Sequence, residues 1–331
     1  MFVKYEDLIK LFTEKLVKHG VEENLAREAA TIFADNSCDG VYTHGANRFP
    51  RIIRYIDEKV IDFSKVLTEV STFNAFAKYD GHRGFGPLNA KKAMQIAIDK
   101  AKEYGIGGVC LVNNNHWLRG GTYGELALEN NMVGICFTNS TGILPPWGGK
   151  EPKLGNNPLV MAVPCEGKHI LMDMAISQYS YGKLEETRLK GQKLPYPGGY
   201  DENGNLTTDP GAIEKSLRAL PIGYWKGSSL ALLLDLILAV FGAMPTKDIS
   251  KQKEEVGLSQ MFIAIDPTRF ESQEYIKSIV DAIIEDVKSA TPVDEKSSIR
   301  YPGEREYKVR KENLEKGIPV LDEVYKTIIE L

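Results

Sequence analysis

Helical periodicity opens the chain. From Tyr5 to Lys18, apolar residues at Leu8, Ile9, Leu11, Phe12 and Leu16 recur at the spacing of one helix face, and Gly20 follows as a stop. A second helix is expected over about 22–36, and a third carries Ile52, Ile53, Tyr55 and Ile56 inward with Pro50 at its start or at a kink. The pattern then changes to period two at Val70, Thr72, Asn74 and Phe76, which predicts one strand before the glycine-rich turn over 80–86. A helix is expected over about 88–104. Apolar runs at 108–112, 132–137, 159–163, 170–174 and 260–265 read as strands, with a tight turn at Glu166-Gly167 between the third and the fourth. The longest apolar run, Leu230 to Met244, reads as a buried helix, and 195–210 reads as a surface loop. An amphipathic helix over about 272–289 and two short helices after the turn at 301–306 complete the chain. These elements predict an α/β fold in three regions: a helical N-terminal unit (1–65), an α/β region (66–265), and C-terminal helices returning to the core (266–331).

Composition narrows the class. At 331 residues with 43% hydrophobic and 26% charged, the chain can bury a sizeable core and has the make-up of a soluble protein. A net charge of -4 without a long basic run argues against nucleic-acid binding, which needs clustered Lys and Arg facing phosphates. The apolar run at 230–244 is interrupted by Asp235 and falls short of the ~20 residues of a membrane span, and no signal peptide is visible. Cys38, Cys110, Cys136 and Cys165 are far apart and make no C-x-x-C spacing, so reduced thiols in the cytoplasm are expected.

The stretch from Gly40 to Arg51 concentrates candidate chemistry, because it sets an imidazole, His44, four residues before a guanidinium, Arg48. On a helix the two share a face, with Gly45 admitting a ligand or a second chain close to the backbone. Histidine is the usual proton donor near neutral pH, and arginine offers a two-pronged grip on a carboxylate. A helix-surface accident explains the pair as well. The only approach to a dinucleotide fingerprint, Gly84-Phe85-Gly86-Pro87-Leu88-Asn89, lacks its third glycine and an acidic residue at the right distance, so the usual nucleotide-binding fold is rejected there. His116 and Arg119 follow a predicted strand, as do Thr138-Asn139-Ser140, and the carboxyl ends of strands are where ligands tend to lie. A hydrogen-bonded turn accounts for the first of these equally. Asp173 stands inside an apolar run and needs a backbone donor, a histidine or a ligand hydroxyl as partner. Lys226, in Gly223-Tyr224-Trp225-Lys226-Gly227-Ser228, adds charge to a helix start that favours a phosphate, although a serine N-cap explains the same residues. No H-E-x-x-H or Cys/His cluster points to a metal.

Together, Gly40-to-Arg51, Asn115-His116-Trp117-Leu118-Arg119-Gly120-Gly121, Thr138-Asn139-Ser140, Pro145-Pro146-Trp147-Gly148, Ser180-Tyr181-Gly182 and Gly223-to-Ser228 resemble the malate/L-lactate dehydrogenase family, which is unrelated to the Rossmann-type lactate and malate dehydrogenases. The resemblance covers nearly the whole chain. It implies a non-Rossmann, mixed-sheet fold and a homodimer with cofactor and substrate near the subunit interface. It implies His44 as proton donor in the reduction of a 2-oxo acid at C2, with 2,3-diketo-L-gulonate as the expected substrate. Arg48 is then the carboxylate clamp, and His116 and Asp173 are candidates to orient or polarise the reacting groups. The implied cofactor is NAD, as NADH by preference with NADPH possible, held by His169, Ile170, Leu171, Met172, Asp173, Met174 and Ala175, by Trp225 and Lys226, and by Gly303, Glu304 and Arg305. Malate, lactate, sulfolactate or a cyclic imine are the alternative substrates within such a family. A catalytically silent binding or assembly protein is the alternative outside it.

Overall fold

Seven strands form one mixed sheet in the order Thr68–Phe73, Phe76–Asp80, Ile106–Asn115, Val256–Ile265, Val133–Thr138, Leu159–Cys165, Lys168–Met174. The structure is a computed structural model that describes residues 1–295 and 297–331. Strands 76–80 and 106–115 run parallel, and every other neighbouring pair is antiparallel. Since 256–265 is antiparallel to both its neighbours, 106–115 and 133–138 point the same way. Two further reversals bring 168–174 into that direction too, so with 76–80 four carboxyl ends point the same way, and those of 106–115, 133–138 and 168–174 face one cleft.

Alternation along the strands sorts the core into two layers, because successive side chains leave a strand on opposite faces. Val109, Leu111, Phe262 and Ala264 meet the helices Gly86–Tyr104 and Gly121–Glu129, whose Ala90, Ala93, Met94, Ala97, Ile98 and Tyr123 are fully buried. Cys110, Val112, Phe137 and Met261 turn to the other side, where the helix Trp225–Val240 lies. A separate core fills the N-terminal helices Tyr5–Lys18, Glu23–Cys38 and Phe49–Asp57. There Phe12 stacks on Phe49 at 4.3 Å and Phe33 meets Phe49 edge-on at 5.2 Å. Each such buried side chain contributes ~1.5–3 kcal/mol. The last helix, Asp322–Glu330, closes this core with Ile328, and Phe2–Val3 pairs with Ile318–Pro319.

Three expectations need correction. The single strand expected around 70–76 is a hairpin, which turns back at Asn74 with φ 46°. Its outer strand, 68–73, is exposed at every residue, so its alternation reported no buried face. The strand expected to end at Val112 continues to Asn115, because the Asn114 side chain is satisfied inside the sheet by Gly86 O at 3.2 Å and Gln260 Oε1 at 2.9 Å. The 225–240 helix is not buried as expected. Ala231, Leu234 and Leu238 face the sheet, whereas Leu232, Leu233, Leu236 and Ile237 are 40–54% exposed and Val240 80%. The sheet covers one side of this helix, and among the described residues no element covers Leu232, Leu233, Leu236, Ile237 and Val240 on the other. Among the described residues no helix is long and apolar enough to cross a membrane, and all four cysteines are free thiols.

Candidate active site

A cleft of about 730 Å³ opens where the three strand ends meet the N-terminal unit. His116 follows strand 106–115, Ser140 and Thr141 follow 133–138, and Asp173, Met174 and Ala175 lie at the end of 168–174. Facing them, the N-terminal unit supplies Thr43, His44, Arg48 and Arg51.

The segment carrying His44 is not the helix that its spacing predicts. Tyr42–His44 and Ala46–Arg48 are two separate 3-10 turns, broken at Gly45 with φ -108° and ψ -126°, and both side chains nevertheless reach the cleft. The lack of a side chain at Gly45 is accounted for within the chain itself. A Cβ there would lie 2.1 Å from Ser37 Oγ and 2.8 Å from Ser37 N, so glycine lets the turn press on the chain's own 23–38 helix. Ala46 N–H donates to Ser37 Oγ at 2.9 Å and Asn36 Nδ2 donates to the His44 carbonyl at 3.0 Å, which pins the turn.

His44 and His116 stack with ring centres 5.7 Å apart and planes 17° apart. Leu118 N–H donates to His116 Nδ1 at 2.9 Å, so the neutral ring carries its proton on Nε2. Burial, followed by the charges of Arg48 and Arg51, pushes His116 down to about 3. Burial also holds His44 well below its ordinary value, reinforced by His116, Arg48 and Arg119. The Arg48 guanidinium has no ion pair or hydrogen bond among the described residues, and burial and Arg51 lower its pKa while Glu255 opposes them. It is therefore free to take an anion that enters the cleft.

Asp173 takes the first of the partners expected for it, a backbone donor, with Gly121 N–H donating to its carboxylate at 2.7 Å. Its carboxylate opens into the cleft. Enclosure by the surrounding wall raises its pKa, while Arg119 and the Gly121 N–H pull the other way. Arg119, expected at the rim, has its guanidinium taken up inside the protein by Asp39 at 2.5 Å and Glu125 at 3.0 Å. Arg310 reaches the same Asp39 at 2.7 Å and Asp35 at 2.6 Å. This buried network ties the N-terminal unit to the sheet. Within it, burial raises Glu125 to about 7 against the pull of Arg119.

Behind Asp173 the edge strand leads away from the cleft through Met172, Leu171 and Ile170 to His169. Its outer side is covered in part by a loop, with Leu171 N–H donating to Pro302 O at 3.1 Å. Gly303 packs so tightly there that a Cβ would lie 2.3 Å from His169 O. His169 Nε2 is buried 3.5 Å from Glu125 Oε1 and makes no hydrogen bond. Glu304, bound by Lys288 at 2.5 Å, and Arg305 begin the helix Glu304–Lys316. The stretches 169–175 and 303–305 thus adjoin one another. Trp225 and Lys226 do not line the cleft; they stand at the exposed start of the 225–240 helix. Ser228 is no N-cap, since its Oγ instead accepts the Trp147 N–H at 2.9 Å. Gly86 is explained by contact, because a Cβ there would lie 2.3 Å from His116 O. No group of three metal-binding side chains occurs among the described residues.

A family model described as malate/L-lactate dehydrogenase matches residues 3–329. The chain belongs to this family. It is therefore an oxidoreductase, and its mixed sheet is the expected non-Rossmann fold. A 2,3-diketo-L-gulonate reductase of Citrobacter koseri is 42% identical over 330 residues, 99% of each chain. Another, of Pasteurella multocida, is 41% identical over the full length of both. Among solved structures, the sulfolactate dehydrogenase of Methanocaldococcus jannaschii is 34% identical at a TM-score of 0.90, covering 100% of this chain and 96% of that one. The malate dehydrogenase of Entamoeba histolytica superposes at a TM-score of 0.95 with 25% identity, with the same coverage.

Arg51, Gln178 and Glu255 also line the cleft and were not singled out from the sequence. Arg51 was legible as a second arginine one turn after Arg48. Glu255 carried no signal beyond its place just before an apolar strand.

Proposed function

We propose that this chain reduces the C2 carbonyl of a 2-oxo sugar acid, 2,3-diketo-L-gulonate to 3-keto-L-gulonate, with His44 as proton donor. The observation that carries the reading is the stacked His44–His116 pair beside an arginine without an anion. A 2-oxo acid presents a carboxylate next to a carbonyl, which matches one guanidinium fork and two imidazoles. The choice of the sugar acid follows the full-length relatives that carry that name.

In this reading Arg48 grips the C1 carboxylate. His116 donates from Nε2 to the carbonyl oxygen and keeps its proton, since its Nδ1 is occupied by Leu118 N–H and the ring stays neutral. His44 has no such backbone donor. Burial, then His116, then Arg48 keep it neutral, and a carboxylate on Arg48 offsets the last of these. Protonation of His44 then accompanies substrate binding, and the proton passes to the oxygen as the alkoxide forms. Asp173, fixed by Gly121 N–H, orients the neighbouring groups.

A reduced nicotinamide supplies the hydride when bound. The residues for it are His169 to Ala175 and Gly303 to Arg305, with His169 Nε2 unpaired between them, and Lys226 with Trp225 at a helix start suited to phosphate. Glu125 beside His169, with Glu306 in electrostatic reach, disfavours an extra phosphate and supports NADH over NADPH. The apolar outer face of the 225–240 helix supports a homodimer, because a helix apolar on all sides is stable when covered. Free thiols support a cytoplasmic setting.

The test is a steady-state assay of the purified protein with NADH and with NADPH. The acids compared are 2,3-diketo-L-gulonate, oxaloacetate, pyruvate, sulfopyruvate and a cyclic imine acid. The reading requires 2,3-diketo-L-gulonate to have the highest kcat/KM; a higher value for any of the others would overturn it.

A further inference from the structure

Arg48 and Arg51 lie one helical turn apart, so their side chains leave the same side of the Phe49–Asp57 segment and both line the cleft. A single substrate carboxylate engages one guanidinium fork. Arg51 is left without an ion pair or hydrogen bond among the described residues, and its charge is felt at both Arg48 and His116.

Across the cleft stands Glu255, and its position is built. Glu254 and Glu255 lie in the bend just before strand 256–265 and take different partners. Glu254 turns to the 49–57 helix, accepting Tyr55 OH at 2.8 Å and Arg54 Nη1 at 3.3 Å. Glu255 lines the cleft instead. Thr141 N–H donates to its Oε1 at 2.9 Å, which fixes the carboxylate and leaves Oε2 without a protein partner among the described residues. Gln178 lines the same cleft, and its side-chain amide has no partner among the described residues either.

A three-carbon 2-oxo acid is fully engaged by Arg48, His44 and His116. Arg51, Glu255 and Gln178 then remain as a cation, an anion and an amide, a mixture of donors and acceptors facing open space. A second carboxylate on the substrate would gain from Arg51 but be repelled by Glu255. Neutral hydroxyl groups satisfy all three, because a hydroxyl both donates and accepts.

Resting on the reductase reading above, we infer that Arg51 and Glu255 form a specificity subsite that reads the hydroxylated tail of the substrate, Glu255 Oε2 accepting from a tail hydroxyl and Arg51 donating to one. The pair selects polyhydroxylated 2-oxo acids over short or dicarboxylic ones.

The experiment compares kcat/KM for 2,3-diketo-L-gulonate and for pyruvate, which keeps the carboxylate and carbonyl but has no tail. Glu255→Gln retains the acceptor for Thr141 N–H and replaces the charged free oxygen by a neutral amide, so the charge-assisted hydrogen bond to the tail is lost. The expected loss on the sugar acid exceeds the loss on pyruvate by about tenfold to a hundredfold, the range for a hydrogen bond to a charged group. Arg51→Gln is expected to shift the ratio in the same direction, and residual pyruvate reduction reports that each variant is folded. An equal proportional loss on both acids overturns the tail-reading role while leaving the reductase reading intact. A wild-type protein that reduces pyruvate but not the sugar acid overturns both.

Discussion

The ring of His116 lies 5.7 Å from that of His44, and of the two only His116 receives a backbone N–H on its Nδ1. The neighbours are thus unequal. One is a fixed hydrogen-bond donor and the other is free to gain and lose a proton.

Proton uptake follows from that inequality. A carboxylate on Arg48 offsets one of the charges that, after burial and His116, lower the pKa of His44, so binding of a non-reducible 2-oxo acid analogue such as oxamate is expected to be accompanied by net proton uptake on the acid side of neutrality. Calorimetric titration in two buffers of different ionisation heat measures it. His44→Ala should abolish the uptake and lower turnover by ~10²–10⁴-fold. Uptake that persists in the variant assigns the proton elsewhere.

The depressed pKa of His116 also has a cost in acid. Its folded value of about 3 lies below that of an unfolded histidine near ~6.5, so between these values the unfolded chain binds the extra proton and stability rises with pH. Within that window the slope from this one group is at most ~1.4 kcal/mol per pH unit. His116→Gln should therefore lose less stability than the wild type when urea unfolding is moved from about pH 6 to about pH 4. Parallel losses would place the ring in contact with bulk water.

Arg48→Lys keeps the charge but loses the fork. If the carboxylate is gripped in two-pronged fashion, kcat/KM on the sugar acid should fall by about tenfold to a hundredfold with little change in melting temperature. A drop in melting temperature with unaltered kinetics would make Arg48 a structural residue.

Asp39 accepts from both Arg119 and Arg310 and is 4% exposed. Removing it in Asp39→Ala leaves Arg119 with Glu125 alone and Arg310 with Asp35 alone, and should cost about 1–3 kcal/mol of unfolding free energy. Denaturant midpoints read this directly, and a loss below about 1 kcal/mol would mean that water replaces the carboxylate.

Leu236→Lys puts a charge on the outer face of the 225–240 helix, where Leu236 is 47% exposed in the single chain. Sedimentation should show a dimer for the wild type and monomer for the variant, whereas an unchanged dimer would move the interface elsewhere.

Much of the fold was legible where burial has a period. Leu8, Phe12 and Leu16 mark a helix face, and the opposite burial of Val109 and Cys110 comes from strand alternation. Burial leaves no such mark on the exposed 68–73 strand or on a helix whose apolar residues run all the way round. The site was legible in residue type more than in geometry. His44 and Arg48 reach one cleft although the helix drawn from their spacing is absent, because Gly45 packs against Ser37 on the preceding helix, a contact that is in neither residue's local pattern. Glu255 illustrates the opposite limit. It is brought to the cleft by strand order, which places 256–265 between 106–115 and 133–138 and follows from no local sequence.

His44 is carried by the N-terminal helices and His116 by the end of a sheet strand, and the joint between them is both polar and apolar: Asp39 pairs with Arg119, while Phe85, Leu88 and Leu118 pack into the N-terminal core. Structures open locally at lower cost than they unfold. A parting of this joint is the local opening that would change the separation of the two rings while leaving each body folded. Loss of activity ahead of global melting is the signature such an opening leaves.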